Sequence, residues 1–340
     1  MNKHDIVVGL QYGDEGKGKV VRELLSKQFY SHCIRFNGGP NAGHTIYQKE
    51  KKLVLHQIPI GILFGMKCIL GPCCVINIEK LKNEINYLKE NNVMIDQKKF
   101  YISYNSHIIL EKYIENDKNN DKVGTTGNGI AQTYSQKMLR DGKRAIDFKE
   151  ELNDMGIELI DCYEECRIAN RILFEGAQGF GLDIDFGDYP YVTSSTCTIG
   201  GIVSCGINFS QIDNVYGVAK PYETYVGSKE FQPKDNENMK QLQIIGEEYG
   251  ATTGRKRQCN WLNLDNLEKS INCNGCTHVI FNKCDIIKQI NNFKVKVANE
   301  KVKEIEFEDS EDMLKEIKNY ILNNCPTIKK VLMSYSANII

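Results

Sequence analysis

Long apolar runs are missing from this chain. No stretch of about 18 consecutive apolar residues, the length a membrane-spanning helix needs, occurs in its 340 residues. The opening residues, MNKHDIVVGL, have neither the basic start nor the apolar centre of a secretory leader. A soluble, intracellular, cytoplasmic protein is therefore expected, with no membrane partner. An excess of charge is missing too: the formal net charge is −1 with 26% charged residues, which gives no footing for nucleic acid as a partner. Internal repeats and long linkers are absent, and strand-like and helix-like stretches alternate. The expected fold class is therefore α/β, with one large domain over residues 1–340. An even cysteine count is missing as well. Thirteen scattered cysteines cannot all pair within the chain, and reduced thiols are the simplest reading. Cys273 and Cys276 have zinc-knuckle spacing, but Cys259 and Cys284 stand singly, so ordinary thiols are favoured over a structural zinc.

What is present centres on Ile6 to Lys19. The apolar run Ile6-Val7-Val8 reads as a buried strand. A loop with Gly13, Gly16 and Gly18 follows, and Val20 to Leu25 reads as a helix. A strand, a glycine loop and a helix start form a phosphate cradle, because backbone N–H groups close on the oxygens and the helix end adds positive charge. Gly13 to Lys19 fits the spacing GxxxxGK, yet Val20 stands where that motif needs Ser or Thr to hold Mg²⁺. Asp14 is the candidate to reach the metal instead. A tight turn with solvated charges is the competing reading.

Further loops follow in order. Cys33 to Phe36 reads as a strand entering Asn37 to Thr45, where His44 is either an exposed loop histidine or a donor to a developing phosphoryl charge. Two glycine loops after two strands meet at the carboxyl edge of a sheet, where ligands bind. Asn77 to Asn92 reads as a helix, Lys99 to Ser103 as a strand and the polar run 116–122 as a surface loop. Val123 to Gly129 is a third glycine/threonine loop before a helix over Ile130 to Leu139, which ends in the basic run Arg140 to Arg144. Arg171 to Phe174 is a strand. Asp183 and Asp185 alternate with Leu182 and Ile184, as on a strand, so their carboxylates would share one face as metal ligands, acid/base partners or solvent-facing groups. Asn214 to Lys220 is another strand. Gly250 to Arg257 combines loop chemistry with three cations that suit an anionic substrate, or form a basic surface loop. Val279 to Asp285 is a strand ending in NKxD, whose aspartate can accept the N1–H and 2-amino donors of guanine. A hairpin over residues 294–307, a helix capped by Ser310 and a strand over Lys330 to Ser334 complete the chain.

Taken in order, GDEGKGK at 13–19, GGPNAGHT at 38–45, VGTTGNGI at 123–130, FEGAQG at 174–179, LDID at 182–185, YPYVTSS at 189–195, GATTGR at 250–255 and NKCD at 282–285 resemble the adenylosuccinate synthetase family, whose members join aspartate to inosine monophosphate. The resemblance implies a mostly parallel sheet flanked by helices, a Mg²⁺-dependent ligase and a homodimer. It implies Asp14 as general base and metal ligand, with the Gly43 carbonyl as a second metal ligand and His44, Lys17 and Gln178 as catalytic partners. Gly13, Glu15, Gly16, Gly18, Lys19, Gly43 and Thr45 fall to the nucleotide phosphates. Asn41, Thr126, Gln178, Thr193 and, from the second subunit, Arg140 fall to the purine monophosphate. Thr252, Thr253, Gly254, Arg255 and Arg257 fall to aspartate, and Lys283, Asp285 and Ser334 to guanine, which favours GTP as donor.

The chain departs from the family pattern at several points. It is compact between residues 100 and 170, as in archaeal and viral members. Asn128 stands where arginine is common, Thr196 replaces a usual asparagine, Asn260-Trp261-Leu262-Asn263 replaces GWLD, and the C-terminal guanine-side segment is only Ser334-Tyr335-Ser336. These keep open a viral-type acceptor, dGMP, with ATP or dATP as donor, in which case the cytoplasm would be a host's. A guanine-nucleotide switch without ligase chemistry is the reading from another class. Val20, the Thr252 to Arg257 loop and the joint presence of Asp14 and His44 stand against it.

Overall fold

The computed structural model describes residues 3–27, 29–48, 51–93, 95–119, 123–234, 236–250, 254–290, 293–297 and 303–336. Short apolar runs bounded by loops become nine parallel strands of one sheet: β1 His4–Gly9, β2 His32–Arg35, β3 Lys67–Leu70, β4 Phe100–Ser103, β5 Glu158–Ile160, β6 Ile172–Glu175, β7 Ile212–Ala219, β8 His278–Phe281 and β9 Lys330–Met333. Their spatial order is β9-β8-β7-β1-β6-β2-β3-β4-β5. Strands buried on both faces read as continuous apolar runs, and side-chain alternation then divides them between two layers. Ile6 and Val8 pack with Phe36, Phe174 and Trp261, while Val7 packs on the opposite face with Val20, Val21 and Leu24. Helix α1, Lys17–Lys27, supplies that second layer and turns the chain from β1 toward β2.

The topology places the site. From β2 the chain steps outward to β5, then returns to lay β6 between β1 and β2 before leaving in the other direction through β7, β8 and β9. That reversal is the switch point of an open α/β sheet, where a crevice opens beyond the carboxyl ends of the strands. The loops after β1, β2, β6, β7 and β8 all leave from this edge.

Around it stand α2 (Ile78–Glu90), α3 (Glu111–Asn119), α4 (Ile130–Leu139) and a helix over Ser310–Asn324. Asn77 caps α2 by accepting from Lys80 N at 2.8 Å. A second, four-stranded sheet of Tyr222–Tyr225, Gln258–Asn263, Phe293–Val297 and Lys303–Phe307 packs its Tyr222, Trp261, Leu262 and Val295 into the same apolar cluster as β1 and β6.

Three local expectations differ from the structure. Residues 116–119 close α3 rather than lying in a loop, because Tyr113 and Asp117 turn inward on helical spacing. Residues 182–185 form no strand. Leu182 closes a 3₁₀ turn over Phe180–Leu182, and Asp183 is buried, accepting from the backbone N–H groups of Asp185, Phe186, Cys197 and Thr198, while Asp185 faces outward. Four amide donors outweigh strand pairing there, so the two carboxylates share no face. Ser310 lies within the first turn of its helix, and Asp309 holds the cap position without a side-chain bond. Among the described residues no helix is long and apolar enough to cross a membrane.

Candidate active site

The phosphate loop between β1 and α1 folds around Glu15. Its Oε1 accepts from Gln11 N at 3.2 Å and Gly13 N at 2.9 Å, and its Oε2 pairs with Lys17 Nζ at 2.7 Å. Glu15 is buried, so its carboxylate shapes the loop from beneath and leaves only its backbone to an anion. Lys17 also donates to the Gln178 carbonyl, which ties the β1 loop to the β6 loop. From the far side Asn282 donates to the Glu15 carbonyl at 2.8 Å. Gly16, at φ +86°, sits so close that a Cβ would lie 2.7 Å from Asn282 Nδ2. A side chain there is excluded by both space and backbone conformation. Gly18 packs against Thr45, whose carbonyl would lie 2.9 Å from an added Cβ.

Beyond the loop lies a cavity of about 470 Å³, the size of a small-molecule site. It brings together ten of the residues singled out in the sequence: Gly13, Asp14, Lys17, Asn41, Gly43, His44, Thr126, Gln178, Thr193 and Arg255. Both side-chain amide atoms of Gln178, a residue at φ +58°, are buried without a hydrogen-bond partner. Unpaired buried polar atoms cost about 1–3 kcal/mol each, so they mark where a polar ligand belongs.

His44 is not the exposed loop histidine of the alternative reading. It opens the hairpin strand His44–Gln48 and is 5% exposed. Its Nδ1 lies 2.5 Å from Glu175 Oε1 and 3.0 Å from Arg35 Nη2, and Arg35 Nη2 itself donates to Glu175 Oε1 at 2.6 Å. Burial, reinforced by Arg35, pulls the imidazole down to about 4. Burial alone would raise Glu175, but Arg35 and His44 outweigh it and bring the carboxyl to about 2. The resting triad is therefore ionised at Glu175 and Arg35 and neutral at His44.

Asp14, at φ +59°, is paired: Arg257 Nε stands 2.8 Å from its Oδ2. Arg257 itself is buried and held by Glu248, Nη1 to Oε2 at 2.5 Å, so it stands behind the cavity wall rather than on it. Arg255 reaches over the mouth, donating to the carbonyls of Gly124 at 3.0 Å and Thr125 at 3.1 Å. Thr252 and Thr253 lie outside the described residues; Gly254 is described, and its N–H donates to the Gly250 carbonyl at 2.8 Å. The Thr125–Gly129 loop is tied down by Asp117, whose Oδ2 accepts from Gly129 N at 2.8 Å.

The expected guanine-side residues gather on the other flank of the phosphate loop. Lys19 donates to Ser334 Oγ and to the Ser336 carbonyl, and burial lowers its ammonium to about 8. Lys283, at φ +61°, donates to the Gly246 carbonyl at 2.6 Å and to Glu248 Oε1 at 2.8 Å, with Asp285 in the first turn after it. Arg140 lies exposed at the end of α4 and does not line the cavity of its own chain. Of the weighed cysteines, Cys259, Cys276 and Cys284 are buried and Cys273 is exposed, and no group of three or more His, Cys, Asp or Glu with metal-binding geometry occurs among the described residues.

Four buried residues of the site, Glu175, Arg35, Asp117 and Glu248, have no role assigned from the sequence. A signal existed for the first two. Arg35 within the apolar run Cys33 to Phe36, and Glu175 directly after the apolar run Ile172 to Phe174, are charges that demand a buried partner. Glu248, next to an equally acidic Glu247, carried none.

A parallel sheet with a phosphate loop at its switch point, and beside it a cavity lined by an acid, a carboxylate-backed histidine and an unpartnered amide, defines a nucleotide-binding α/β enzyme. Comparison with known proteins narrows this. The adenylosuccinate synthetase family model matches residues 6–155 and 146–335. The adenylosuccinate synthetase of Endomicrobium trichonymphae is 38% identical over 86% of this chain and 79% of its own. The fully ligated adenylosuccinate synthetase of Plasmodium falciparum superposes with a TM-score of 0.83 at 27% identity, covering 98% of this chain and 97% of that one. The cyanophage S-2L succinoaminodeoxyadenylate synthetase, PurZ, bound to dGMP and dATP, shares the fold with a TM-score of 0.76 at 20% identity, over 99% of this chain and 93% of that one. This chain belongs to the adenylosuccinate synthetase family, a family of C–N bond-forming ligases.

Proposed function

We propose that this chain condenses L-aspartate with the 6-oxo group of inosine monophosphate at the expense of GTP, giving adenylosuccinate, GDP and phosphate. The observation that carries the reading is the convergence of Asp14, Lys17, His44 and Gln178 on one cavity at the sheet's switch point. Family membership supplies the reaction type, and the side chains supply the steps. Asp14, turning from Arg257, accepts the proton from purine N1 while Gln178 Nε2 donates to O6. O6 then attacks the γ-phosphorus, the bond to the β-phosphate breaks, and Lys17 and the phosphate-loop amides hold the departing diphosphate. The amine of aspartate attacks C6 and phosphate leaves, so a poor oxide leaving group has been converted into a good one.

His44 is neutral at rest, with Nδ1 turned to Glu175. An incoming phosphoryl anion favours its protonated form, in which Nδ1 stays on Glu175 and Nε2–H is free for the transferring group. Asp14 also suits a divalent cation, since its carboxylate is part-exposed and already holds a cation, Arg257. Asp14 and the Gly43 carbonyl, both on the cavity wall, would supply hard oxygen ligands to Mg²⁺. When bound, that ion neutralises charge on the phosphates.

Thr126, Thr193 and Asn41 then take the monophosphate. Arg255, Arg257 and the Thr252–Gly254 segment take aspartate, and Lys283, Asp285 and Ser334 take guanine. Arg140, exposed and outside its own cavity, serves a partner's monophosphate in a homodimer. The protein acts as a single domain in the cytoplasm, and the apolar cluster that spans both sheets supports the one-domain reading.

The test is a product assay by mass with Mg²⁺ and aspartate, crossing inosine monophosphate or dGMP with GTP or ATP. Succinyl adduct from inosine monophosphate with GTP is expected. Adduct mainly from dGMP would move the protein to the nucleotide bound in the PurZ structure. No adduct from either would sink the ligase reading.

A further inference from the structure

Glu248 lies outside the cavity lining and is fully buried, yet four donors converge on its carboxylate. Oε1 accepts from Lys220 Nζ at 3.2 Å, Tyr222 OH at 2.7 Å and Lys283 Nζ at 2.8 Å, and Oε2 accepts from Arg257 Nη1 at 2.5 Å. Burial alone would raise this carboxyl, but Lys220, Lys283 and Arg257 outweigh it and hold it well below the usual carboxylate range, so it stays charged. One oxygen thus serves the lysine on the guanine flank. The other serves the arginine whose Nε meets Asp14 on the cavity side.

We propose that Glu248 is a positioning residue that couples the donor-nucleotide site to the aspartate site by holding Lys283 and Arg257 on opposite oxygens of one buried carboxylate. The inference rests on the reaction proposed above.

Anchoring the Lys283 ammonium on Glu248 and on the Gly246 carbonyl fixes its methylene stem as an apolar platform, so a base seated there orders the carboxylate. An ordered carboxylate retains Arg257 by Nη1 alone. The rest of the fork then becomes available to the aspartate carboxylate once Asp14 turns to the purine. Lys220, buried and also bonded to Thr224 Oγ1 at 2.6 Å, braces the carboxylate from beneath. Because a single anion faces three cations, loss of one cation redistributes the field on the other two.

The experiment is steady-state kinetics of the full chain with inosine monophosphate, GTP, aspartate and Mg²⁺. It compares wild type, Lys283→Ala, Glu248→Gln, Glu248→Asp and the Lys283→Ala/Glu248→Gln pair. Site-to-site coupling commonly spans about 5–150-fold. Lys283→Ala is therefore expected to raise the KM for aspartate, a substrate it does not touch, by at least about fivefold. Glu248→Gln should do the same, Glu248→Asp should recover much of the loss, and the pair should be no worse toward aspartate than Glu248→Gln alone. A residue that only braces the fold would lower the active fraction and leave these KM values in place. An aspartate KM within about twofold of wild type in Lys283→Ala overturns the proposal, and so does a pair whose effects multiply. Lys283→Ala changes a part-exposed side chain and decides the matter even if Glu248→Gln fails to fold. Wild type inactive with every acceptor removes the underlying reading and this inference with it, whereas active wild type with uncoupled sites removes this inference alone.

Discussion

Replacing Glu175 by glutamine keeps the side chain's shape and removes the one negative charge shared by Arg35 and His44. In the native protein Oε1 accepts from both of those groups, while Oε2 accepts from Ile60 N at 2.9 Å and Cys33 Sγ at 3.6 Å. Arg35 donates on one side and Ile60 N and Cys33 Sγ on the other, so an amide NH₂ on either side meets a donor. The Arg35 guanidinium, 2% exposed, is then left without a counter-charge. Breaking a buried ion pair from one side costs about 3–5 kcal/mol. The assay is urea unfolding followed by the fluorescence of Trp261, the only tryptophan and a core residue. The expected result is a lower midpoint at unchanged slope, amounting to about 3–5 kcal/mol. Removing the guanidinium as well, in Arg35→Met/Glu175→Gln, should recover part of that loss, since no unpaired charge then remains. A loss below about 1 kcal/mol in the single variant, or a double variant less stable than the single, refutes the view that this carboxylate is the counter-charge of the pair. Turnover should also collapse, because His44 beside an uncompensated Arg35 resists protonation even more than before.

Asp14→Asn should still bind nucleotide but lose about 10²–10⁴-fold in turnover, the usual cost of removing a general base; rapid-quench product analysis showing normal turnover would remove Asp14 from that role. Free His44 is deprotonated above about 4, and a neighbouring anion raises that value, so triphosphate binding below neutral pH should take up protons. Calorimetry in two buffers of different ionisation enthalpy measures the uptake, and equal uptake by His44→Asn would exclude the assignment. The same depressed value means that His44 favours folding above its ordinary value near 6.5 and that this contribution fades as pH falls toward 4. Gly16→Ala should cost about 1–2 kcal/mol for its left-handed backbone alone and should weaken triphosphate binding by pushing Asn282 off the loop. Unchanged melting and affinity would contradict the contact.

The parts of the fold that could be read from sequence are those set by local signals. Apolar runs at 6–8, 33–36 and 172–174 form strands within a residue or two, and the helix between the Gly129 loop and the basic run at Arg140 spans Ile130–Leu139 as expected. Glycine loops located the cavity because their backbone requirements are written in residue type. What escaped depends on contacts between distant residues. Asp183 followed the amides of residues 185–198 instead of its own alternation, and Arg257 followed Glu248 and Asp14 inward rather than facing the cavity. The Glu175–Arg35–His44 cluster joins the ends of β6 and β2 to the first residue of the hairpin strand His44–Gln48, and no short window of sequence contains all three.

The return of the chain to lay β6 beside β1 bears on how the protein is made. β1, which carries the phosphate loop, hydrogen-bonds only to β6 and β7 within the sheet, so it has no sheet partner until Ile172 is synthesised and lacks its second until Ile212. On the ribosome the apolar run Ile6-Val7-Val8 therefore emerges more than 160 residues ahead of the strands that flank it in the sheet. Chains halted before residue 172 are expected to leave residues 4–19 open to protease and to chaperones, and chains halted beyond residue 219 are expected to protect them. Early protection would mean that another segment covers this strand first. The residues nearest the chemistry are thus the ones for which an interrupted translation leaves the greatest liability.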